Sequence, residues 1–329
     1  MPRRRVSMDD IARHVGLSRT TVSFVINGRT DMNISEESRK RVWDAVRDLG
    51  YRPDAGARSL AARRTDLIGV VTDITTSPFG GGIVQGAQDA AWRQGKLLLI
   101  VGTDGDPGVE AAAVDMLLER RVEGMIYATL AHREVAVPKA MTEVPTVLVH
   151  CFDGALPHVL PDEAEGGRTG TRRLIDAGHR RIGLINLDPA VPAAVGRRAG
   201  YERALAEAGI PVDPRLIVSG DATATSGFER AAELLDLDDP PTGLFCCTDR
   251  MAMGAYDAVR ERGLRVPQDI GVVGYDNQEI IAAYLRPPLT TVALPFDEMG
   301  AAAVAMLTDP DGPGAGRTIG CPLVERASV

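Results

Sequence analysis

The sequence predicts an α/β protein in two parts: a small helical head, then a body of two doubly wound parallel-sheet lobes. Three observations carry that expectation. At 329 residues the chain is too long for one ordinary core. Its first 50 residues show only helical periodicity, whereas from Leu67 onward apolar strands alternate with helical stretches in two successive rounds. The charge also divides: residues 1–64 hold 14 Lys/Arg against 8 Asp/Glu, a net +6, and the remainder holds 23 against 37, a net −14. A basic head on an acidic body suits a head that meets a polyanion. The alternative is compositional, since only Lys40, Lys96 and Lys139 are lysines among 37 basic residues.

In the head, Ser7 can cap a first helix with Asp10 as its capping-box partner, and Ile11, Ala12 and Val15 supply the apolar face until Gly16 ends it. Ser18 caps a second helix whose inner face is Val22, Val25 and Ile26, stopping at Asn27-Gly28. A third helix starts at Ser35, with Glu36 and Glu37 in its first turn. It turns Val42, Trp43, Val46 and Leu49 inward and ends at Gly50. Tyr51-Arg52-Pro53 breaks the pattern, and the Ala/Arg/Leu-rich stretch 54–62 is a helix only marginally stable on its own. The expected division is a head at 1–52, a hinge helix or linker at 53–65 and a body at 66–329.

In the body, apolar strands are expected at 67–72, 96–103, 124–129, 146–151, 181–186, 216–220, 243–248, 270–276 and 291–294. Continuous apolar strands separated by helices imply parallel sheets covered on both faces. The rounds suggest one lobe at 66–160 joined by 291–320 and another at 161–290.

Several function classes are disfavoured. Apolar content of 44% and charged content of 25% are ordinary globular values, which argues against disorder. No apolar run approaches the ~20 residues that span a bilayer. The basic start is followed by Ser7-Met8-Asp9-Asp10 rather than an apolar segment, so a cytoplasmic protein with no membrane partner is expected. Cys151, Cys246, Cys247 and Cys321 lack CxxC spacing and read as reduced, buried thiols. His14, His132, His150, His158 and His179 show no metal spacing. There is no phosphate loop or nucleophile elbow, and Phe79-Gly80-Gly81-Gly82 lacks the GxGxxG order, so no cofactor and no enzyme activity are expected. A secreted binding protein would share the lobes but has no use for the head.

Two short helices joined by a Gly turn match a helix-turn-helix, whose second helix sets its N-terminal residues against base edges. Those residues are Arg19, Thr20, Thr21 and Ser23, and Arg can grip guanine bidentately while hydroxyls bond bases or phosphates. Any three-helix bundle also has a polar outer face. Longer segments are more specific. MDDIARHVGLSRTTVSFVIN at Met8–Asn27 and YRPDAGARSLAARRTDLIGVV at Tyr51–Val71 resemble the head and hinge of the lactose-repressor (LacI) family of bacterial regulators. GHRRIGLI at Gly178–Ile185, RRAGYERAL at Arg197–Leu205, TDRMAMGAYDAVRERGLRVPQDIGVVGYDN at Thr248–Asn277 and PPLTTVALP at Pro287–Pro295 resemble its effector domain in order and spacing.

The resemblance implies a helix-turn-helix head, a hinge helix and a two-lobed, periplasmic-binding-protein-like effector domain of type I. It implies a homodimeric repressor that binds a palindromic double-stranded DNA operator under control of a small-molecule effector, a sugar by default. It places Ser18, Arg19, Thr20, Thr21, Ser23, Phe24, Asn27, Ala57, Arg58 and Leu60 at the DNA. Leu60 would be an apolar wedge in the minor groove, with packing under the body as its alternative. Phe24 stands where relatives often carry Arg, and Gly28–Ile34 is a long link. The Phe24 ring either projects along the groove or turns inward.

For the effector, strand carboxyl ends in parallel α/β lobes point to Asp73, Phe79, Cys151, Thr248, Asp249 and Asp276. The resemblance makes Arg197 and Asp276 the main polar contacts, with Thr248 and Asp249 near them and Asp162 at the lobe junction. Each Asp also suits a helix N-cap. Gly80, Cys151 and Ala222 are small where relatives offer larger walls.

Overall fold

A computed structural model describes residues 6–29, 32–52, 64–74, 77 and 80–329. The chain divides into two compact units, Met1–Thr65 and Asp66–Val329. In the first, α1 (Met8–Val15), α2 (Arg19–Ile26) and α3 (Glu36–Asp48) close around Ile11, Ala12, Val15, Val22, Val25, Ile26, Val42, Ala45, Val46 and Tyr51. Ser7 and Asp10 form the expected capping box, Ser18 and Ser35 cap the other two helices, and Gly16 takes the left-handed conformation that ends α1. Trp43 departs from expectation: it is 42% exposed. At 100° per residue, position 43 falls beside the stripe made by Val42, Ala45 and Val46 rather than on it. The expected hinge, 53–65, falls outside the described residues except for its last two.

The second unit contains two six-stranded sheets. The first is built from β1 (Leu67–Thr72), β2 (Leu97–Gly102), β3 (Gly124–Glu134), β4 (Thr146–Phe152), β5 (His158–Pro161) and β11 (Arg317–Ile319), in the order β11-β5-β4-β3-β1-β2. The second holds β6 (Ile182–Asn186), β7 (Ile217–Ser219), β8 (Gly243–Cys246), β9 (Gly271–Asp276), β10 (Thr290–Ala293) and β12 (Leu323–Val324), in the order β12-β10-β9-β8-β6-β7. All pairings are parallel except that of β10 with β12. Helices α4 (Gly81–Arg93), α5 (Pro107–Glu119) and α11 (Phe296–Leu307) pack with the first sheet. Helices α6 (Glu163–Asp176), α7 (Pro192–Glu207), α8 (Ala224–Leu235) and α9 (Asp249–Glu261) pack with the second. A short helix, α10 (Glu279–Ala282), follows β9.

The lobe boundary differs from the one the strand pattern suggests. Residues 290–293 pair with β9, so the chain leaves the second sheet only at α11, enters the first for α11 and β11, and returns through β12. The apolar pattern of a strand says that it is buried, not which of two sheets it joins.

Helix pairs cross almost in backbone contact. At the α6–α7 crossing, a Cβ on Gly167 would lie 2.2 Å from the Arg197 carbonyl oxygen, and one on Gly200 would lie 2.0 Å from that of Ala164. The α4–α11 crossing is built the same way on Gly86 and Gly300. We therefore expect Gly200→Ala to lower unfolding free energy by ~1–3 kcal/mol through forced separation of the helices. Gly81→Ala, with nothing within 4 Å of its added Cβ, should stay within ~0.5 kcal/mol of the parent. Urea unfolding of both variants checks the contrast.

Candidate functional site

The first turn of α2 is fixed by its cap. Ser18 Oγ accepts the Thr21 N–H at 3.0 Å and lies 2.8 Å from Thr21 Oγ1. Arg19 and Thr20 stand exposed beyond the cap. The Arg19 guanidinium sits 3.7 Å from Asp9, a surface pair worth at most ~1 kcal/mol and easily surrendered to a phosphate or base. Asn27 Nδ2 donates to Ser23 Oγ at 3.2 Å. Phe24 is half-buried and is not among the side chains packed in the head's core. Its ring instead lies against the Arg29 guanidinium, 5.6 Å from the centroid. Of the two orientations open in the sequence, the structure thus adopts the outward one. Ala57, Arg58 and Leu60 lie outside the described residues.

The body encloses a cavity of about 570 Å³. Gly82, Leu130, Phe296, Asp297 and Glu298 line it from the first lobe; Ala222, Thr248, Arg250, residues 276–280 and Leu294 line it from the second. These are strand carboxyl ends and helix starts, as the architecture requires. Three lining residues hold left-handed backbones: Ala222 (φ 67°), Asp276 (φ 101°) and Asn277 (φ 53°). Such conformations cost free energy in non-glycine residues and persist where the surroundings enforce them. Asp276, Glu279, Asp297 and Glu298 make the wall acidic, and Arg250 is the one basic side chain among the described lining residues.

Under this wall lies a buried charge cluster. Arg197 is 3% exposed and does not line the cavity. Its Nε donates to Glu163 Oε2 at 2.8 Å, its Nη2 to Glu163 Oε1 at 3.3 Å, and its Nη1 to the Cys247 carbonyl oxygen. The guanidinium also stacks on Tyr275, 3.6 Å from the ring centroid, and reaches Asp276 at 3.7 Å. Burial alone would raise the Glu163 pKa, but the Arg197 charge and hydrogen bonds prevail and hold it well below the usual carboxylate range. Asp276 has no such grip. Burial pushes its carboxyl up to about 7, with Arg197 and the Gln278 amide, 2.9 Å away, only partly opposing.

The remaining expected site residues have structural partners. Asp162 caps α6 by accepting the Glu165 N–H at 2.9 Å, and Thr248, though on the cavity wall, caps α9 through the Met251 N–H at 3.1 Å. Asp249 is fully buried, accepting the Thr291 hydroxyl and the Gln278 N–H, both at 2.6 Å. Asp73 accepts the Leu130 N–H at 2.8 Å. Cys151 is buried within β4 and does not reach the cavity, and Phe79 lies outside the described residues. Arg250, Gln278, Glu279, Phe296, Asp297 and Glu298 were not expected there from sequence; the acidic start of α11 follows a strand and was the available signal.

Comparison with known proteins finds two family matches: "Bacterial regulatory proteins, lacI family" over residues 7–54 and "Periplasmic binding protein-like domain" over residues 171–329. The chain is 35% identical to the HTH-type transcriptional repressor PurR of Aliivibrio salmonicida over 308 residues, 92% of this chain and 91% of the relative. It is 37% identical to the ribose operon repressor of Haemophilus influenzae over 303 residues, 92% and 90% of the two chains. Among solved structures, the lac repressor dimer bound to operator and the anti-inducer ONPF is similar across 99% of both chains, with a TM-score of 0.80 and 30% identity. Among the described residues no helix is long and apolar enough to cross a membrane.

The raised Asp276 pKa has a consequence for stability. The unfolded chain gives up this proton near pH 4 and the folded chain only near about 7, so stability falls as pH climbs between them and is then level. Arg197, Arg250, Glu163 and Gln278 face the group, and the buried carboxyl of Asp249, which the Asp276 charge also pushes up, is relieved in the same direction by removing that charge. Asp276→Asn should therefore raise the melting temperature relative to the parent at about pH 8 and leave it nearly unchanged at about pH 4. Thermal melts across that range check the sign.

Proposed function

The chain belongs to the LacI family of bacterial regulatory proteins, and from that membership we propose that it is a repressor binding a twofold-symmetric operator as a homodimer, with a sugar-like effector in the interlobe cavity. It is a DNA-binding transcription regulator and not an enzyme. Its place of action on this reading is the cytoplasm. The observation that carries the DNA reading is α2, whose apolar side is sealed into a closed core while Arg19 and Thr20 stand exposed at its capped start. Arg19 and Thr20 read bases, Ser18, Thr21, Ser23 and Asn27 hold phosphate, and Ala57, Arg58 and Leu60 act at the operator centre.

The dimer reading is supported by an apolar surface on the first lobe. Trp92, Leu97, Ile100, Val109 and Met116 are each at least 41% exposed, on α4, the sheet-edge strand β2 and one face of α5. An edge strand left beside such a patch is ordinarily covered by another chain. The effector reading is supported by the cavity's size, its acidic wall and its left-handed polar corner, which suit a neutral, hydroxyl-rich ligand better than an anion. Asp276 is its polar contact, Thr248 lines the wall beside it while capping α9, and Arg197 acts through Asp276.

Selection of bound DNA from a random pool, followed by screening metabolites for release, tests the whole reading. The selected site should be palindromic, and its affinity should fall steeply with salt, because contacts of a net +6 head with phosphate release counterions. A lone half-site bound at full strength, or a flat salt response, overturns it. The outward Phe24 gives a sharper expectation. An apolar ring can pack on a thymine methyl but cannot donate to guanine, so Phe24→Arg should shift preference from A·T to G·C at one step by about 1–3 kcal/mol. A folded variant with unaltered base preference refutes the contact.

A further inference from the structure

Beneath the cavity, His132 of β3 and His150 of β4 come from the first lobe, and Glu163, the first residue of α6, comes from the second. One ring nitrogen of each histidine and a carboxylate oxygen of Glu163 all lie within 4.8 Å of one another, and all three residues are buried. His150 Nδ1 is 3.2 Å from the Thr129 carbonyl oxygen, so that nitrogen carries the proton and donates it. Nε2 then keeps its lone pair, and it is buried with no hydrogen-bond partner. An imidazole pinned through one N–H to a backbone carbonyl, its other nitrogen bare, is how proteins present a metal ligand, and a second histidine and a carboxylate stand close to this ring.

We propose that His132, His150 and Glu163 bind one divalent cation of the zinc class and that this ion ties the two lobes together. Two imidazoles and a carboxylate suit Zn²⁺ or Co²⁺ rather than Ca²⁺ or Mg²⁺. With its Nδ1–H held by the Thr129 carbonyl, His150 leaves Nε2 as the nitrogen open to an ion. Glu163 is shared: its Oε2 takes the Arg197 Nε–H at 2.8 Å, while its Oε1 lies 3.4 Å from His132 Nδ1. The carboxylate thus stands between the two cations, and Asp276 lies on the far side of the guanidinium. If His132 ligates through Nδ1, the ion takes the place of the proton now facing Glu163, and that proton moves by way of water to Nε2, so that the ligand stays a neutral imidazole. His132 Nδ1 and Glu163 Oε1, 3.4 Å apart, already stand close to the separation that two ligands about 2.0–2.2 Å from one tetrahedral zinc require, so a single ion bridges the lobes. An effect on operator affinity rests on the regulator reading; binding itself does not.

Full-length, metal-free protein should be titrated with Co²⁺, read by its visible d–d absorption, and with Zn²⁺ by calorimetry. X-ray absorption of the Zn²⁺-loaded chain should follow. We expect one ion per chain, two imidazoles in its shell, and binding weakened about tenfold or more in both His132→Gln and His150→Asn. Asn suits position 150 because it tolerates the left-handed backbone there, φ 61°. No saturable one-to-one binding, a shell without imidazole, or folded variants that bind like the parent overturn the site. The absorption measurement uses the parent alone, so it decides the matter even where a variant does not fold. Intact binding with no metal effect on selected DNA leaves the site standing and removes only its regulatory consequence.

Discussion

Arg197 and Glu163 meet inside the body because α6 and α7 cross with no side chain between them. Gly167 and Gly200 occupy the crossing, about one helical turn from Glu163 and Arg197 respectively. A buried ion pair is tolerated only when its hydrogen bonds are complete, since desolvating two charges otherwise costs more than their attraction returns. Here Nε and both terminal nitrogens of Arg197 donate, and the guanidinium faces Tyr275. The consequence passes outward. With its nitrogens committed to Glu163 and Cys247, Arg197 leaves Asp276 at 3.7 Å under-compensated, and Asp276 is the member of this cluster that reaches the cavity.

The residues at strand ends divide by backbone conformation. Thr248, Asp162 and Thr223 sit in extended or bridging geometry at helix starts and spend their oxygens on capping. Ala222, Asp276 and Asn277 sit in the left-handed region, where the chain turns toward the cavity. The capped set anchors the helices, and the left-handed set shapes the wall. Neither role is free: caps remove polar groups from ligand reach, and left-handed residues draw on stability supplied by the surrounding core.

The head is organised on simpler terms. Its core is local, three capped helices closing on a cluster that includes no charged side chain, so the outward face of α2 can vary without cost to the fold. Phe24 illustrates this: it lies outside that cluster and meets only the Arg29 guanidinium among the contacts described. Segregating positive charge into this head and negative charge into the body confines attraction for DNA to the surface that reads it.

What the residues determined by themselves was local and periodic. The Ser7–Asp10 capping box, the caps at Ser18 and Ser35 and nine of the twelve described strands follow from spacing that a chain segment carries within itself, while the short strands β5, β11 and β12 do not. Tertiary structure decided whatever depended on partners distant in sequence. Glu163 and Arg197 pair across 34 positions, and His132 approaches Glu163 across 31, so neither the sequestration of Arg197 nor the histidine cluster leaves a short-range signature. Likewise Thr290–Ala293 reads as a buried strand in any sheet, and only the neighbouring edge offered by β9 assigns it to the second. Periodicity reports that a side chain is buried; the identity of what it is buried against is fixed only when separate segments compete for the same space.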